Sequence, residues 1–297
     1  MRRAAPLLPI SLTAFVVLFA FGCTPDSSPG AAPPERAIVN KGSDTMVNLA
    51  LAWAEAYQQV EPAVDVFVTG GGSGTGIAAL INGTVDLANA SRQIKPEEIE
   101  EARGNGIEPV EIVVARDAIA VIVHRDNPVD HLTLEQLSVI YSGAINNWAE
   151  VGGADRTIVR LSRETNSGTH VYFLEEVLRL GDPDNRTLFA TDTLLLPSSE
   201  GIAAEIAYNE NAIGYDGLGY VTDDMKVIAV GQDAAGPFFL PSVETVNRGV
   251  YPIARDLYIY SPGEPSSQAR DYLAWILGPL GQELVASLGF VPLEPTS

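Results

Sequence analysis

Residues 64–81 have the sequence VDVFVTGGGSGTGIAALI, which divides into three parts. The first part, Val64–Val68, contains three valines and one phenylalanine, residue types that favour a strand. A glycine-rich turn, Gly70–Gly76, follows, and after it the apolar residues of Ile77–Ile81 lie at the spacing of one helical face. A strand, a tight turn and a helix in this order predict an α/β fold.

The same arrangement of strand, loop and helix occurs twice more in the chain. Residues 37–45, AIVNKGSDT, come before a helical pattern with one apolar stripe, made of Met46, Leu49, Ala50, Trp53, Ala54 and Tyr57. Residues 158–169, IVRLSRETNSGT, come before a second stripe, made of Val171, Leu174, Val177 and Leu178. Because strand-like runs alternate with helical patterns from Ala37 onward, we predict a largely parallel sheet.

Apolar runs and helix-start signals predict the remaining elements. Short apolar runs predict strands at 85–88, 110–114, 119–123, 213–215, 227–230 and 257–260. Helices are predicted from Pro96, from Thr133 with Gln136 at capping-box spacing, over 201–208, and near 272–277 and 284–288.

Three loops place serine, threonine and glycine where a helix begins. A helix start leaves backbone N–H groups unpaired and carries a partial positive charge, so it attracts anions. Glycine lets the backbone approach a ligand, and hydroxyl groups add donors. One such loop indicates no more than a capped helix, but three in one chain predict an oxyanion site. Its candidate residues are Ser43, Thr45, Ser73, Gly74, Thr75, Ser167, Gly168 and Thr169.

Charged residues near these loops leave alternatives open. The guanidinium of Arg163, in the third loop, can grip an oxyanion with two parallel N–H donors, or it can pair with one of the many acids. Arg92, next to Ser91, is balanced between the same two roles. Asp44 either caps a helix or, like Glu164, accepts a hydrogen bond from the proton that phosphate retains near neutral pH.

Length and charge exclude some classes of function. The 297 residues are enough for two domains of ordinary size. There are 18 basic and 38 acidic residues, a net charge of −20, and −22 without the two arginines of the first 22 residues. This balance argues against a nucleic-acid-binding protein and against adhesion to anionic lipid through a basic patch. It leaves an anionic ligand open, because salt screens distant surface charges.

The N-terminal segment is typical of a secretory signal. Two arginines precede an apolar run, Leu7–Phe21, which is short for a membrane span. The single cysteine, Cys23, stands where this run ends, either by chance or as the lipidated residue of a bacterial lipoprotein. We predict a signal peptide over 1–22, lipidation of Cys23 and a flexible tether over 23–36.

The chain lacks the sequence motifs of common enzymes. Residues 71–75, GGSGT, lack the final glycine of a nucleophile elbow, and there is no Gly-Lys-Ser/Thr P-loop. Residues 74–79, GTGIAA, match only a loose dinucleotide-binding pattern. The three histidines lack metal-ligand spacing, and there is no second cysteine. We predict a protein that is not an enzyme and that uses no metal or cofactor.

Six segments together resemble the phosphate-binding proteins of ABC importers, the PstS family. They are GSDTM at 42–46, GGGSGTG at 70–76, DLANASR at 86–92, RETNSGT at 163–169, IGY at 213–215 and YPIARDLYIY at 251–260. Their order and spacing make the resemblance specific, and it covers the chain from about Ile38 onward.

The resemblance implies a two-lobed type II periplasmic-binding-protein fold with the ligand in a cleft between the lobes. Lobe 1 would comprise 37–119 and 256–297, and lobe 2 would comprise 120–255. Two hinge crossings would fall near Asp117–Val123 and Ala254–Tyr260.

The resemblance also implies roles for individual residues. Thr45 and Ser73 would contact phosphate from lobe 1. The second lobe would contribute Arg163, Ser167, Gly168 and Thr169. Ser91 and Arg92 stand where some members of the family place an acidic residue that takes the phosphate proton, and this departure weakens proton-based selection against sulfate.

The implied function is capture of inorganic phosphate by lobe closure, followed by docking on the membrane subunits of an ABC permease. We expect a monomeric, exported protein that is held at the membrane by its lipid anchor alone. The alternatives are a binder of sulfate, molybdate or tungstate with the same fold, and a tethered anion sensor.

Overall fold

Strands and helices alternate along the chain in a computed structural model that describes residues 37–294. The predicted signal peptide, Cys23 and the tether over 23–36 lie outside the described residues, and these three expectations stay predictions. None of the described helices combines the length and the apolar character that a membrane crossing requires.

Most of the predicted elements are present, with small differences at their ends. The described strands are β1 Ala37–Gly42, β2 Asp65–Thr69, β3 Leu87–Ala90, β4 Val110–His124, β5 His131–Thr133, β6 Val159–Arg163, β7 Leu194–Leu196, β8 Ala212–Gly217, β9 Met225–Gly231, β10 Phe238–Phe239 and β11 Ala254–Ser261. The described helices are α1 Val47–Val60, α2 Ser73–Ile81, α3 Pro96–Gly104, α4 Leu134–Tyr141, α5 Gly168–Tyr172, α6 Ser199–Tyr208, α7 Val243–Asn247, α8 Ser267–Leu277 and α9 Pro279–Ser287. The short elements β5, β7, β10 and α7 were not predicted.

The sheet is mixed, so the prediction of a largely parallel sheet is wrong. Its strands follow the order β2-β1-β3-β11-β4-β8-β6-β7, and β9 pairs with β4, β5 and β10. Parallel pairs join β1 to β2 and β3, and β6 to β7 and β8. The central strands β11 and β4 are antiparallel, because β4 carries the chain from the first half of the molecule into the second and β11 carries it back.

Residues 110–124 form a single strand where two were predicted. The charged pair Arg116 and Asp117 interrupts the apolar pattern but not the strand. The first part of β4 pairs with β11 as far as Ala118, and from Ile119 the strand pairs with β8. The predicted hinge crossings and lobe boundaries lie at this change of partner and at the start of β11, and they remain predictions.

Each half of the molecule has its own buried core. The stripe predicted for α1 is confirmed, since Leu49, Ala50, Trp53 and Tyr57 are buried against β1, β11 and α8. The second core gathers side chains from β4, β8 and the helices that pack on them, including Val121, Leu137, Trp148, Phe173 and Tyr215.

The helix after Ser167 changes its hydrogen-bonding pattern after one turn. Helix α5 continues at Phe173 as a π-helical segment that ends at Leu178. Phe173, where the π-helical segment begins, is buried in the core, and its ring stacks on Tyr215 with the ring centroids 3.6 Å apart. Val171 and Leu174, predicted on the buried face, are only half-buried.

Replacing Thr133 with alanine should lower the free energy of unfolding by about 1 kcal/mol. The Thr133 hydroxyl accepts from the backbone N–H of Gln136 at 3.0 Å, and the Gln136 side chain accepts from the N–H of Thr133 at 2.9 Å. This capping box was predicted from the sequence and is confirmed. Denaturant unfolding would measure the loss. Thr133→Ser keeps the acceptor oxygen and should lose much less, and an equal loss in both variants would contradict the capping role.

Candidate functional site

The hydroxyl-bearing loops of the two halves meet at one place. The loops after β1 and β2, and the end of β3, lie at the same edge of the sheet because these three strands are parallel. The loop between β6 and α5 faces them from the other half. Five residues lie at the centre of this meeting point: Thr45, Ser73, Ser91, Gly168 and Thr169. We call them the hydroxyl cluster, because all except Gly168 carry a hydroxyl group.

Hydrogen bonds within the first half and close contacts between the two halves hold the hydroxyl cluster together. The hydroxyl oxygens of Thr45 and Thr169 are 2.8 Å apart. Ser73 Oγ lies 3.2 Å from Ser91 Oγ and accepts from the Ser91 N–H at 3.0 Å. A Cβ built on Gly168 would lie 2.5 Å from Ser73 Oγ, so the loops touch closely. The cluster residues are all buried, and residues far apart in sequence therefore form one polar site.

Asn166 joins the glycine-rich turn to the opposite loop. Its carbonyl accepts from the N–H of Gly74 at 2.9 Å, and its side-chain amide donates to the carbonyl of Gly71 at 2.9 Å. Gly72 has φ +90°, and a Cβ there would lie 2.9 Å from the carbonyl of Asn166. Glycine is required at this position both by the backbone conformation and by the close approach.

Arg163 is a buried cation that contacts both halves. Its Nη1 donates to Ser199 Oγ at 2.7 Å, and its Nη2 donates to Asp44 Oδ2 at 2.8 Å. Nη2 also donates to the carbonyl of Pro197. Its Nε is buried without a hydrogen-bond partner among the described residues. The ion pair with an acid, one of the two predicted alternatives, is thus present, while one N–H of the guanidinium is left to donate elsewhere.

Asp44 does not cap its own helix, which corrects one of the two predicted roles. No side-chain hydrogen bond caps the short 3₁₀ turn that Asp44 begins. Instead Oδ1 accepts from the N–H of Gly71 at 3.0 Å while Oδ2 accepts from Arg163. The carboxylate therefore fixes both the glycine-rich turn and the arginine. Glu164, the other acid considered, is exposed.

The remaining candidates of the Ser/Thr loops have local roles or none. Ser167 caps α5, since its Oγ accepts from the N–H of Thr169 at 3.2 Å. Thr75 donates its hydroxyl to the carbonyl of Gly71 at 2.5 Å, which engages it outside the hydroxyl cluster. The hydroxyl of Ser43 is buried and has no partner among the described residues.

Arg92 forms an ion pair instead of joining the hydroxyl cluster. Its two terminal nitrogens donate to the two carboxylate oxygens of Glu98 at 2.8 and 2.7 Å. Although burial alone would raise it, hydrogen bonds from Arg92 and from the backbone N–H of Lys95 lower the pKa of the Glu98 carboxyl. The ion-pairing alternative is thus present, and the expected ligand contact of Arg92 stays a prediction.

Sequence reasoning missed three buried charged residues beside the cluster. Arg255, on β11, donates to Thr169 Oγ1 and to Asp117 Oδ2, both at 2.9 Å. Asp216, on β8, accepts from Ser199 and lies 3.9 Å from the Arg163 guanidinium. The available signal was the presence of charged residues inside strands that are otherwise apolar.

Replacing Asp216 with asparagine should flatten the pH dependence of stability. Burial raises the pKa of Asp216 to about 6 from its usual value of 3.8, although Arg163 and two hydrogen bonds favour the ionised form. A carboxyl with a raised pKa stabilises the fold most when protonated. This contribution is fully present below about pH 4 and is lost as the pH rises through about 6.

The Asp216→Asn variant should therefore gain about 3 kcal/mol relative to the unaltered protein between pH 4 and pH 7. Denaturant unfolding at several pH values would measure this difference. Asp223→Asn is the control, because Asp223 is exposed and should leave the profile unchanged. Parallel profiles for Asp216→Asn and the unaltered protein would contradict the raised pKa.

The geometry of the site suits an anion that bridges the two halves. Hydroxyl groups of the two halves meet in the hydroxyl cluster, and Arg255 donates to one of them. The carboxylates of Asp44 and Asp117 are already engaged with donors. Such a set of donors stabilises negative charge, and it is complete only while the two halves are in contact.

Comparison with known proteins places the chain in a class. A family model described as a PBP superfamily domain matches residues 27–279. The chain is also 27% identical to the crystal structure of an ABC-type phosphate transport receptor from Vibrio cholerae, with a TM-score of 0.69, over 86% of this chain and 100% of that one. The predicted two-lobed α/β fold is thereby confirmed.

Individual relatives narrow the class to a family. The phosphate-binding protein PstS of Pseudomonas aeruginosa is 32% identical over 269 residues, which are 85% of this chain and 81% of that protein. PstS of Bacillus subtilis is 30% identical, over 90% and 84% of the two chains. A Clostridium perfringens protein, solved with bound phosphate and described as a phosphate ABC transporter substrate-binding protein, is 30% identical with a TM-score of 0.78, over 87% and 100%. The chain belongs to the PstS family of phosphate-binding proteins.

Proposed function

We propose that this protein captures inorganic phosphate outside the cytoplasm and delivers it to an ABC transporter. The observation that carries the proposal is the meeting of hydroxyl groups from both lobes, with Thr45 and Thr169 2.8 Å apart. The buried guanidinium of Arg163 pairs with Asp44, the residue next to Thr45 in sequence. The names of the PstS relatives and the phosphate in the Clostridium perfringens structure support phosphate as the ligand.

We assign the phosphate contacts to the residues that surround the cluster. Hydroxyl groups and backbone N–H groups supply neutral donors, and Arg163 supplies the positive charge through its unpartnered Nε. The assigned residues are Ser43, Thr45, Ser73, Ser91, Arg163, Ser167, Gly168 and Thr169. Gly74 lines the site through its backbone without donating, because its N–H is engaged by Asn166.

Capture proceeds by lobe closure. A ligand that contacts both lobes binds more tightly when they are together than when they are apart, so it shifts the open–closed equilibrium toward closure. Contacts between the lobes add to this preference. They include the Asp44–Arg163 ion pair and the hydrogen bonds of Asn166.

Calorimetric titration with phosphate, sulfate and molybdate tests the proposal. We expect saturable binding of one phosphate per chain, and weaker binding or none with the other two anions. Heat from sulfate or molybdate in the absence of any from phosphate would identify a binder of another oxyanion. No binding of any of the three would refute the proposal.

The predicted leader completes the proposed function. We propose export, lipidation of Cys23, and a monomeric soluble domain that docks on permease subunits without catalysing a reaction. Expression in a bacterial host with Cys23→Ser as the comparison tests the anchor. The unaltered protein should sediment with membranes, and the Cys23→Ser variant should be released. Equal distribution of the two proteins would contradict lipidation.

A further inference from the structure

Arg255 has an unusual place for a buried arginine, because it contacts both lobes and the strand between them. It lies on β11, and its side chain is 2% exposed. Its Nη1 donates to the carbonyl of Ser91 at 2.9 Å, and its Nη2 donates to Thr169 Oγ1 at 2.9 Å. Ser91 and Thr169 belong to opposite lobes, so one guanidinium connects residues of the hydroxyl cluster from both lobes.

The charge of Arg255 is balanced within the strands themselves. Asp117, fully buried on β4, accepts from Arg255 Nε at 3.2 Å and from Nη2 at 2.9 Å. The other oxygen of Asp117 accepts from the N–H of Leu218. Because Asp117 offsets its positive charge, Arg255 acts on the cluster mainly through the direction of its N–H groups.

The hydrogen bond to Thr169 determines how that hydroxyl can act. A guanidinium can only donate, so Thr169 Oγ1 must accept from Arg255. The hydroxyl hydrogen of Thr169 is then free to be donated, either to Thr45 Oγ1 at 2.8 Å or to a bound anion. Hydrogen bonds in such a chain polarise one another, and the charged donor strengthens the hydroxyl as a donor.

We propose that Arg255 is a positioning residue for the anion site, which orients the Thr169 hydroxyl as a donor and links lobe closure to occupation of the site. This inference rests on the proposed capture of phosphate. It assigns to the strand between the lobes a part in binding, in addition to its part in the hinge.

The test is the phosphate affinity of Arg255→Lys. Lysine keeps the charge beside Asp117, but its single nitrogen cannot reach Asp117, Ser91 and Thr169 together. We expect phosphate binding to weaken by about ten- to a hundredfold, and phosphate to dissociate faster in stopped-flow experiments. An affinity within about twofold of the unaltered protein would overturn the inference.

Arg116 provides the matched control. It lies next to Asp117 on β4 and lines the same cavity of about 700 Å³ as Arg255, but its guanidinium donates to Asn247. Arg116→Lys should bind phosphate as the unaltered protein does, and an equal loss in both variants would overturn a specific role for Arg255. If the unaltered protein bound no phosphate, the proposed function itself would fail, which is a distinguishable result.

A double-mutant cycle with Thr169→Val separates positioning from a general structural effect. If Arg255 acts through the Thr169 hydroxyl, Arg255→Lys should change the affinity of the Thr169→Val protein by less than about twofold. Additive losses would show that Arg255 acts by another route and would overturn the inference.

Should Arg255→Lys fail to fold, the neutral pair Asp117→Asn with Arg255→Gln removes both buried charges together. This double variant should lose phosphate affinity by a similar factor while circular dichroism shows a folded protein. Retained affinity would again overturn the inference.

Discussion

Replacing Arg163 with alanine should weaken phosphate binding by about a thousandfold, or about 4 kcal/mol. The guanidinium is buried, its Nε has no partner among the described residues, and in the proposed site it supplies the positive charge for the anion. Its loss also removes the ion pair with Asp44, which spans the two lobes. Closure would then bring the Asp44 carboxylate toward a phosphate anion with no cation between them. Calorimetric titration would measure the change.

Arg160 provides a stringent control for this prediction. It lies on the same strand as Arg163 and is equally buried, but its guanidinium donates to the carbonyls of Ile140 and Ile145 in the second lobe. Arg160→Ala should lower stability while the folded protein keeps its phosphate affinity. If the two variants lost affinity to a similar degree, burial of an arginine on β6 would be the common cause and Arg163 would have no special role.

A methyl group at Gly168 should have the second largest effect, a loss of phosphate affinity of about a hundredfold. The new Cβ would lie 2.5 Å from Ser73 Oγ and 2.6 Å from Ser91 Oγ, both in the opposite lobe. Overpacking of this kind costs about 1–3 kcal/mol. The lobes can relieve the clash by separating, so the cost falls on closure and not on the fold of either lobe. Thermal unfolding without phosphate should therefore change little.

Gly201→Ala is the matched control for the Gly168 substitution. Gly201 also lies in the first turn of a helix, α6, but a Cβ there would meet Ser198 Oγ at 3.4 Å, an ordinary contact. This variant should bind phosphate normally. If Gly168→Ala also bound phosphate normally, the close approach of the two lobes at Gly168 would not be part of the bound state.

Local sequence patterns predicted the helices and the loops of the site well. The apolar stripe of α1 and the capping box of α4 depend on residues within a few positions of one another, and both are confirmed. The three hydroxyl-bearing loops could be found in the same way, because each consists of a strand end and a helix start. That the loops after β1 and β2 lie together follows from the parallel pairing of these strands. That the loop after β6 would face them was implied by the family resemblance.

Contacts between distant segments could not be predicted from such patterns. Helix capping was one of the two roles considered for Asp44, whereas its partners are Gly71 and Arg163, far along the chain. Arg255 was missed, because nothing local shows that a charged residue in β11 will meet Thr169, 86 positions earlier in the chain. The mixed sheet was missed for the same reason, since the pairing of β11 with β4 depends on the return of the chain.

The unbroken strand β4 has a consequence for unfolding. One partner sheet holds it as far as Ala118, and the other holds it from Ile119. If one lobe unfolded, the half of β4 that pairs within that lobe would lose its hydrogen bonds. The lobe that stayed folded would then have a newly exposed sheet edge. The two lobes, which we propose to move relative to each other during capture, should therefore melt together, as a single cooperative calorimetric transition.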